Sequence, residues 1–117
     1  MLEPKPRELK VYESSPGVKP FDDWVESLRD SRGRTIIRIR LDRLEKGNFG
    51  TCKSVGDGVL ELKIDFGPGY RVYFAEDGSK LILLLLGGDK STQAKDIKTA
   101  QNYWRDYREA KLWPTNL

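Results

Sequence analysis

The chain is predicted to fold as one α+β domain with a mainly antiparallel sheet, on three observations. Apolar residues recur at helical spacing in the first half, alternate at strand spacing from Val59 onward, and return to helical spacing after Ser91. At 117 residues there is room for a single hydrophobic core, so the domain is expected to span 1–117.

Residues 1–6, broken by Pro4 and Pro6, and 113–117, holding Pro114, are expected to be loose tails. Glu8–Ser14 reads as a first strand, and Ser15-Pro16-Gly17 as a turn. Pro20 then opens a helix whose Phe21, Trp24, Val25 and Leu28 fall at i, i+3, i+4 and i+7, one apolar face. Gly33 interrupts that pattern. A second helix follows to about Lys46, with Ile37, Leu41 and Leu44 on its core side, and Gly47-Asn48 ends it. Two helices so closely joined predict an N-terminal helical hairpin.

The period then changes. Val59–Phe66 sets Leu60, Leu62, Ile64 and Phe66 against Glu61, Lys63 and Asp65, and Gly67-Pro68-Gly69 turns the chain. Tyr70–Ala75 sets Tyr70, Val72 and Phe74 against Arg71 and Tyr73. Asp77-Gly78 marks a hairpin into Lys80–Leu86, which is apolar throughout and therefore expected to be covered on both faces. Ser91–Glu109 closes the domain as a helix, with Ala94, Ile97, Ala100, Trp104 and Tyr107 near one stripe.

Composition narrows the chemistry. There is no histidine and one cysteine, Cys52, which excludes Ser–His and Cys–His catalysis, an intrachain disulfide and a cysteine metal cluster. Acid–base work must fall to Lys, Arg, Tyr, Asp or Glu, and neither metal nor cofactor is expected. The longest apolar run, Leu81–Leu86, is too short to cross a bilayer, and no charged-then-apolar leader opens the chain, so a cytoplasmic location without membrane association is expected. The net charge is +3, but Arg29–Lys46 holds seven basic residues against three acids. Such a stretch suits an anionic partner, but for the helix alone a solvated face with scattered ion pairs is the stronger reading.

Two constellations carry possible chemistry. Hairpin pairing brings Glu61, Lys63 and Asp65 onto one surface with Arg71 and Tyr73, where a guanidinium fork and an ammonium would clamp a phosphodiester. Ordinary cross-strand ion pairing accounts for the same spacing. The second is Gly87–Gln93, where a buried strand ends and a helix begins: its amides and paired glycines suit an anion, and its Asp89, Ser91 or Thr92 equally suit a helix cap. It is not a phosphate loop of the Walker type, since Asp89 stands where that motif needs glycine. Tyr73, pointing with Arg71, is the better candidate for stacking on a base, and Cys52 without a histidine is expected to be inert.

Several of these stretches are quite specific together: Phe21–Trp24, the run from Arg43 through Gly50, Lys53–Val55, Gly58–Ile64, Gly67-Pro68-Gly69-Tyr70-Arg71-Val72-Tyr73-Phe74, and Leu85–Gln93. Over about residues 8–108 the chain resembles the addiction-module killer proteins, the phage-derived Gp49-like branch of the RelE/ParE/HigB toxin superfamily. The resemblance implies a RelE-like, microbial-RNase-type fold: a curved antiparallel sheet, two N-terminal helices across it and a C-terminal helix. It implies a toxin of a type II toxin–antitoxin pair, an endoribonuclease that cuts messenger RNA on the ribosome without metal and so inhibits translation. The RNA 2′-hydroxyl attacks the adjacent phosphate, leaving a cyclic phosphate and a free 5′-hydroxyl. It also implies a cognate antitoxin, a small helix-turn-helix protein through which operator DNA would be reached.

Carried over by position, Arg71 matches the arginine that stabilises the scissile phosphate. Lys63 matches a lysine on the preceding strand, a general base or electrostatic clamp, and Lys90 a basic partner for the leaving oxygen. These three are the expected catalytic residues; Tyr73, Lys53, Arg38 and Gln93 are the expected RNA contacts. The chain departs from the RelE pattern at Glu61, where a second strand lysine is usual, and lacks a clear C-terminal tyrosine near Asp96, which leaves the proton-transfer groups unassigned. Two other functions suit the same residues: a ParE-like inhibitor of DNA gyrase that catalyses nothing, and a regulatory module acting with its antitoxin on operator DNA through Arg29–Lys46.

Overall fold

The computed structural model describes residues 5–112. The loose-tail expectation falls mostly on residues 1–4 and 113–117, which lie outside the described residues, while Lys5 to Arg7 have no regular structure. The element order is β1 (Glu8–Val11), α1 (Pro20–Ser27), α2 (Ser31–Glu45), β2 (Cys52–Ser54), β3 (Leu60–Ile64), β4 (Tyr70–Asp77), β5 (Leu81–Asp89) and α3 (Gln93–Leu112). A 3-10 turn over Lys90–Thr92 leads into α3. No described helix is long and apolar enough to cross a membrane.

The expected α+β class holds, with two corrections. The five strands lie in the order β1-β5-β4-β3-β2, and β1 runs parallel to β5, so the sheet is mixed rather than antiparallel. Alternation in a sequence reports which face a residue takes and carries no information about strand direction. The helical pair also follows β1 instead of opening the domain, because the first strand pairs at the sheet's edge before the chain crosses to α1.

Each element has a local cause. Pro20 suits the first position of α1, where its missing N–H is not needed, and Asp22 and Asp23 lie at the positive end of the helix dipole. Asp30 caps α2, its carboxylate accepting from the Gly33 amide at 2.9 Å. Gly33 therefore sits in the first turn of α2 and does not separate the helices as its position suggested; a methyl there would lie 2.8 Å from the Tyr70 ring. Gly47 and Asn48 return amides to the carbonyls of Leu44 and Arg43 and end the helix.

The sheet is covered on both faces. Phe21, Ile37 and Leu44 from the helical pair pack on Leu62, Ile64, Tyr70, Val72, Phe74 and Leu84. Ala100 and Trp104 of α3 pack on Val59, Tyr73, Ala75, Leu83 and Leu85. Ile37 and Leu44 are essentially unexposed, and burial of each contributes about 1.5–3 kcal/mol relative to exposure. The β4–β5 register shifts between Tyr73, opposite Leu86, and Phe74, opposite Leu84, leaving Leu85 as an extra residue. This bulge turns both Leu85 and Leu86 toward α3 and resets the alternation of everything after them.

Candidate functional site

Strand pairing assembles the site. Lys53 of β2 stands opposite Glu61 of β3, Glu61 opposite Tyr73 of β4, and Lys63 opposite Arg71. On its other flank Arg71 faces Gly88 of β5. Thr51, Cys52, Lys53, Glu61, Lys63 and Arg71 line a cleft of about 250 Å³ beside the part of the sheet that α3 covers. The paired carboxylate and cations expected on a solvated surface are thus not all solvated. Among the described residues Glu61 and Arg71 are the two charged side chains that are buried, at 1 % and 6 % exposure.

Arg71 is held flat by its own turn: its Nη1 donates to the Gly69 carbonyl at 2.5 Å. Gly69 has φ +77°, and a methyl on it would lie 2.7 Å from that nitrogen, so both the turn and the guanidinium require glycine there. Arg71 Nε is buried and has no hydrogen-bond partner. A buried guanidinium is poorly hydrated, so it attracts an anion more strongly than one in water. Lys53 and Lys63 are largely exposed, Lys53 Nζ lying 3.9 Å from Glu61 and Lys63 Nζ 3.8 Å from Asp65. Such loose, exposed pairs leave both ammoniums available to a phosphate.

Beneath them, Glu61 Oε2 accepts from Gln93 Nε2 at 2.9 Å. The Tyr73 ring is wholly buried against α3, and its hydroxyl has no hydrogen-bond partner. Burial first, and the neighbouring Glu61 carboxylate second, push that hydroxyl well above its usual range, so it stays protonated. Burial likewise raises the Cys52 thiol, which keeps it in its unreactive form.

The turn after β5 resolves the two readings left open for Gly87–Gln93. Asp89 caps it, its carboxylate accepting from the Ser91 amide at 2.8 Å. Gly87 and Gly88 belong to β5, and each is covered by the protein's own side chain rather than open to a ligand. A methyl on Gly87 would lie 2.0 Å from the Trp24 ring, and one on Gly88 would lie 1.9 Å from the Asp96 carboxylate, which also accepts from the Thr92 hydroxyl.

Of the residues expected to act together, Arg71, Lys63 and Lys53 share the cleft. Lys90 is exposed on the adjoining turn, its Cβ close to where a Gly69 methyl would lie, next to Arg71. Gln93 faces inward to Glu61. Tyr73 is not presented for base stacking, since its ring lies in the core under α3. Arg38 is not in the cleft; it lines a separate groove with Phe21, Val25 and Leu41 between α1 and α2. Glu61 and Asp96 were given no role from the sequence. The readable signal for Glu61 is its place between Lys53 and Tyr73 on neighbouring strands, but its burial depends on where α3 lies.

The model of the phage-derived Gp49-like protein family matches residues 19–105, from the residue before α1 to well inside α3. An uncharacterized protein of Haemophilus influenzae is 53 % identical over 81 residues, covering 69 % of this chain and 82 % of its own. No solved structure matches.

Proposed function

The chain belongs to the phage-derived Gp49-like proteins, an addiction-module toxin family related to RelE and HigB, and we propose that it is the toxin of a type II pair that stops translation by cutting messenger RNA on the ribosome. The observation that carries this reading is Arg71: a buried guanidinium with an unpartnered Nε, lining a cleft with Lys53 and Lys63. That is the equipment for holding a phosphodiester and for stabilising it as it gains negative charge.

In the proposed reaction the 2′-oxygen of RNA attacks its neighbouring phosphorus. The P–O5′ bond breaks, a cyclic phosphate forms, and the 2′-hydroxyl proton is balanced by the proton taken up by the departing 5′-oxygen. Arg71 stabilises the five-coordinate phosphorus through its fork. Lys63, across from Arg71 at the open side of the cleft, serves as clamp or base, and Lys90 meets the leaving oxygen. Lys53 completes the RNA contact, while Gln93, expected there from the sequence, is turned inward onto Glu61. The cognate antitoxin, a helix-turn-helix protein, and a cytoplasmic place of action belong to the same proposal.

The test is induction of the chain and of Arg71→Ala in cells, with primer extension on abundant transcripts. New 5′ ends inside open reading frames that vanish with Arg71→Ala support the nuclease. Growth arrest with intact messages and damaged DNA would instead identify a gyrase poison.

A further inference from the structure

Glu61 and Arg71 are buried on neighbouring strands of one cleft, yet the reaction above uses only Arg71. A carboxylate with 1 % of its surface exposed is costly to keep unless donors hold it. Oε2 takes the Gln93 amide at 2.9 Å, Lys53 Nζ stands 3.9 Å from Oε1, and the Tyr73 hydroxyl lies beside the carboxylate. Gln93 is the first residue of α3, so this bond joins the start of β3 to the point where the Lys90–Thr92 turn becomes helix.

That turn carries Lys90, and its other tie to the β3–β4 hairpin is long: the Lys90 amide reaches the Pro68 carbonyl at 3.5 Å. The site where a Gly69 methyl would stand is 2.7 Å from Arg71 Nη1 and 3.6 Å from Lys90 Cβ, so a small movement of the turn changes the spacing of the two cations. The shorter bond, from Gln93 to Glu61, is the one that resists such movement.

We propose that Glu61 is a positioning residue of the cleft, which through Gln93 holds the Lys90–Thr92 turn against the sheet and fixes Lys90 relative to Arg71. Its inaccessibility separates it from the groups that touch RNA. The proposal rests on the cleft being the place of RNA cleavage, and the experiment separates the two ideas.

Full-length Glu61→Ala, Gln93→Ala, the double variant, Glu61→Gln and Arg71→Ala are compared in a translating extract for messenger cleavage, and by hydrogen exchange at the amides of residues 90–96. Glu61→Ala and Gln93→Ala are each expected to lower kcat roughly tenfold to a hundredfold, as misplacement of a reacting group does. The double variant should be no worse than the worse single one. Glu61→Gln, whose amide oxygen still accepts from Gln93, should stay within about threefold of the parent chain. Exchange should rise in the two alanine variants and not in Glu61→Gln. If Glu61→Ala fails to fold, Gln93→Ala, altered at a half-buried helix start, decides the matter. Glu61→Gln as inactive as Glu61→Ala with undisturbed exchange would make the carboxylate itself a proton-transfer group and overturn the proposal, as would Gln93→Ala with parental rate and exchange. Messages left uncut by the parent chain and by Arg71→Ala alike would overturn the nuclease reading, while exchange alone would still show whether Glu61 holds the turn.

Discussion

Arg71 on β4 stands directly opposite Gly88 on β5, with Lys63 on its other flank. The missing side chain at 88 lets the Asp96 carboxylate descend onto the strand, so the buried guanidinium and a carboxylate share one small region without a direct ion pair. Replacing Arg71 by alanine is expected to lower cleavage by about 10²–10³-fold, the usual loss when one preorganised donor is removed from a developing charge. Lysine at this position should restore little, because a point-charge ammonium lacks the planar fork that meets two phosphate oxygens at once while Nη1 stays on the Gly69 carbonyl. Cleavage rates at equal folded fraction, set by near-ultraviolet circular dichroism, measure both.

The two glycines of β5 should respond differently to alanine. At Gly87 the new methyl meets a rigid, packed indole, that of Trp24, and urea unfolding should show a loss of about 1–3 kcal/mol or more. At Gly88 it meets the end of the half-exposed Asp96 side chain, which has room to rotate away. Gly88→Ala should therefore unfold closer to the parent chain while cutting more slowly, since the methyl stands beside Arg71.

That contrast also marks how far the residues could be read unaided. The alternation of Leu60, Leu62 and Ile64 against Glu61 and Lys63, and of Tyr70, Val72 and Phe74 against Arg71 and Tyr73, assigns faces correctly because a strand's period is local. Whether the second face meets solvent or a helix is a long-range matter, and α3 arrives over Tyr73 and Glu61 from residues far along the chain. The double glycine looked like an opening for a ligand for the same reason: nothing nearby announces that Trp24 and Asp96 will fill it. Short β2 escaped notice because three residues are too few to display a period. The place of Arg71 beside Lys63 was legible from the strand pattern alone.

Removal of the Tyr73 hydroxyl should not harm the fold. A buried hydroxyl that lies beside Glu61 without a well-formed hydrogen bond returns little for its desolvation, so Tyr73→Phe is expected to melt at the parental temperature or slightly above it, by up to about 1 kcal/mol in stability. A clear drop in melting temperature would mean that Glu61 or Asp96 takes a hydrogen bond from it in solution.

Asp30 links pH to stability. The Gly33 amide first, and the Tyr70 hydroxyl second, hold its carboxyl below the ordinary value of 3.8. A depressed carboxylate stabilises the fold above its unfolded pKa, and that contribution is lost as pH falls through the folded value. Asp30→Asn should therefore be less stable than the parent chain at neutral pH, and the gap should close in acid below the usual carboxylate range. Urea midpoints measured for both chains between neutral and strongly acidic pH follow the gap directly.

Exposed Lys53 and Lys63 should make RNA affinity depend on salt. Each replacement by alanine is expected to flatten the plot of log affinity against log salt by about 0.7 for a single strand, because one counterion fewer is released. Fluorescence anisotropy with a short labelled RNA reads that slope, and an unchanged slope would place the lysine off the path of the strand.

The parallel pairing of β1 with β5 has a consequence for how the chain comes into being. Among the described residues, 8–11 take their strand pairing from 81–84 alone, so the sheet's edge waits for a partner made some seventy positions later. Arg71 likewise gains its inner neighbour only when Gly88 has been synthesised and α3 has come down over Glu61. A chain still short of that point carries its cations on an unfinished sheet, and a truncated product ending before β5 would have the arginine without the enclosure that the proposed cleavage needs.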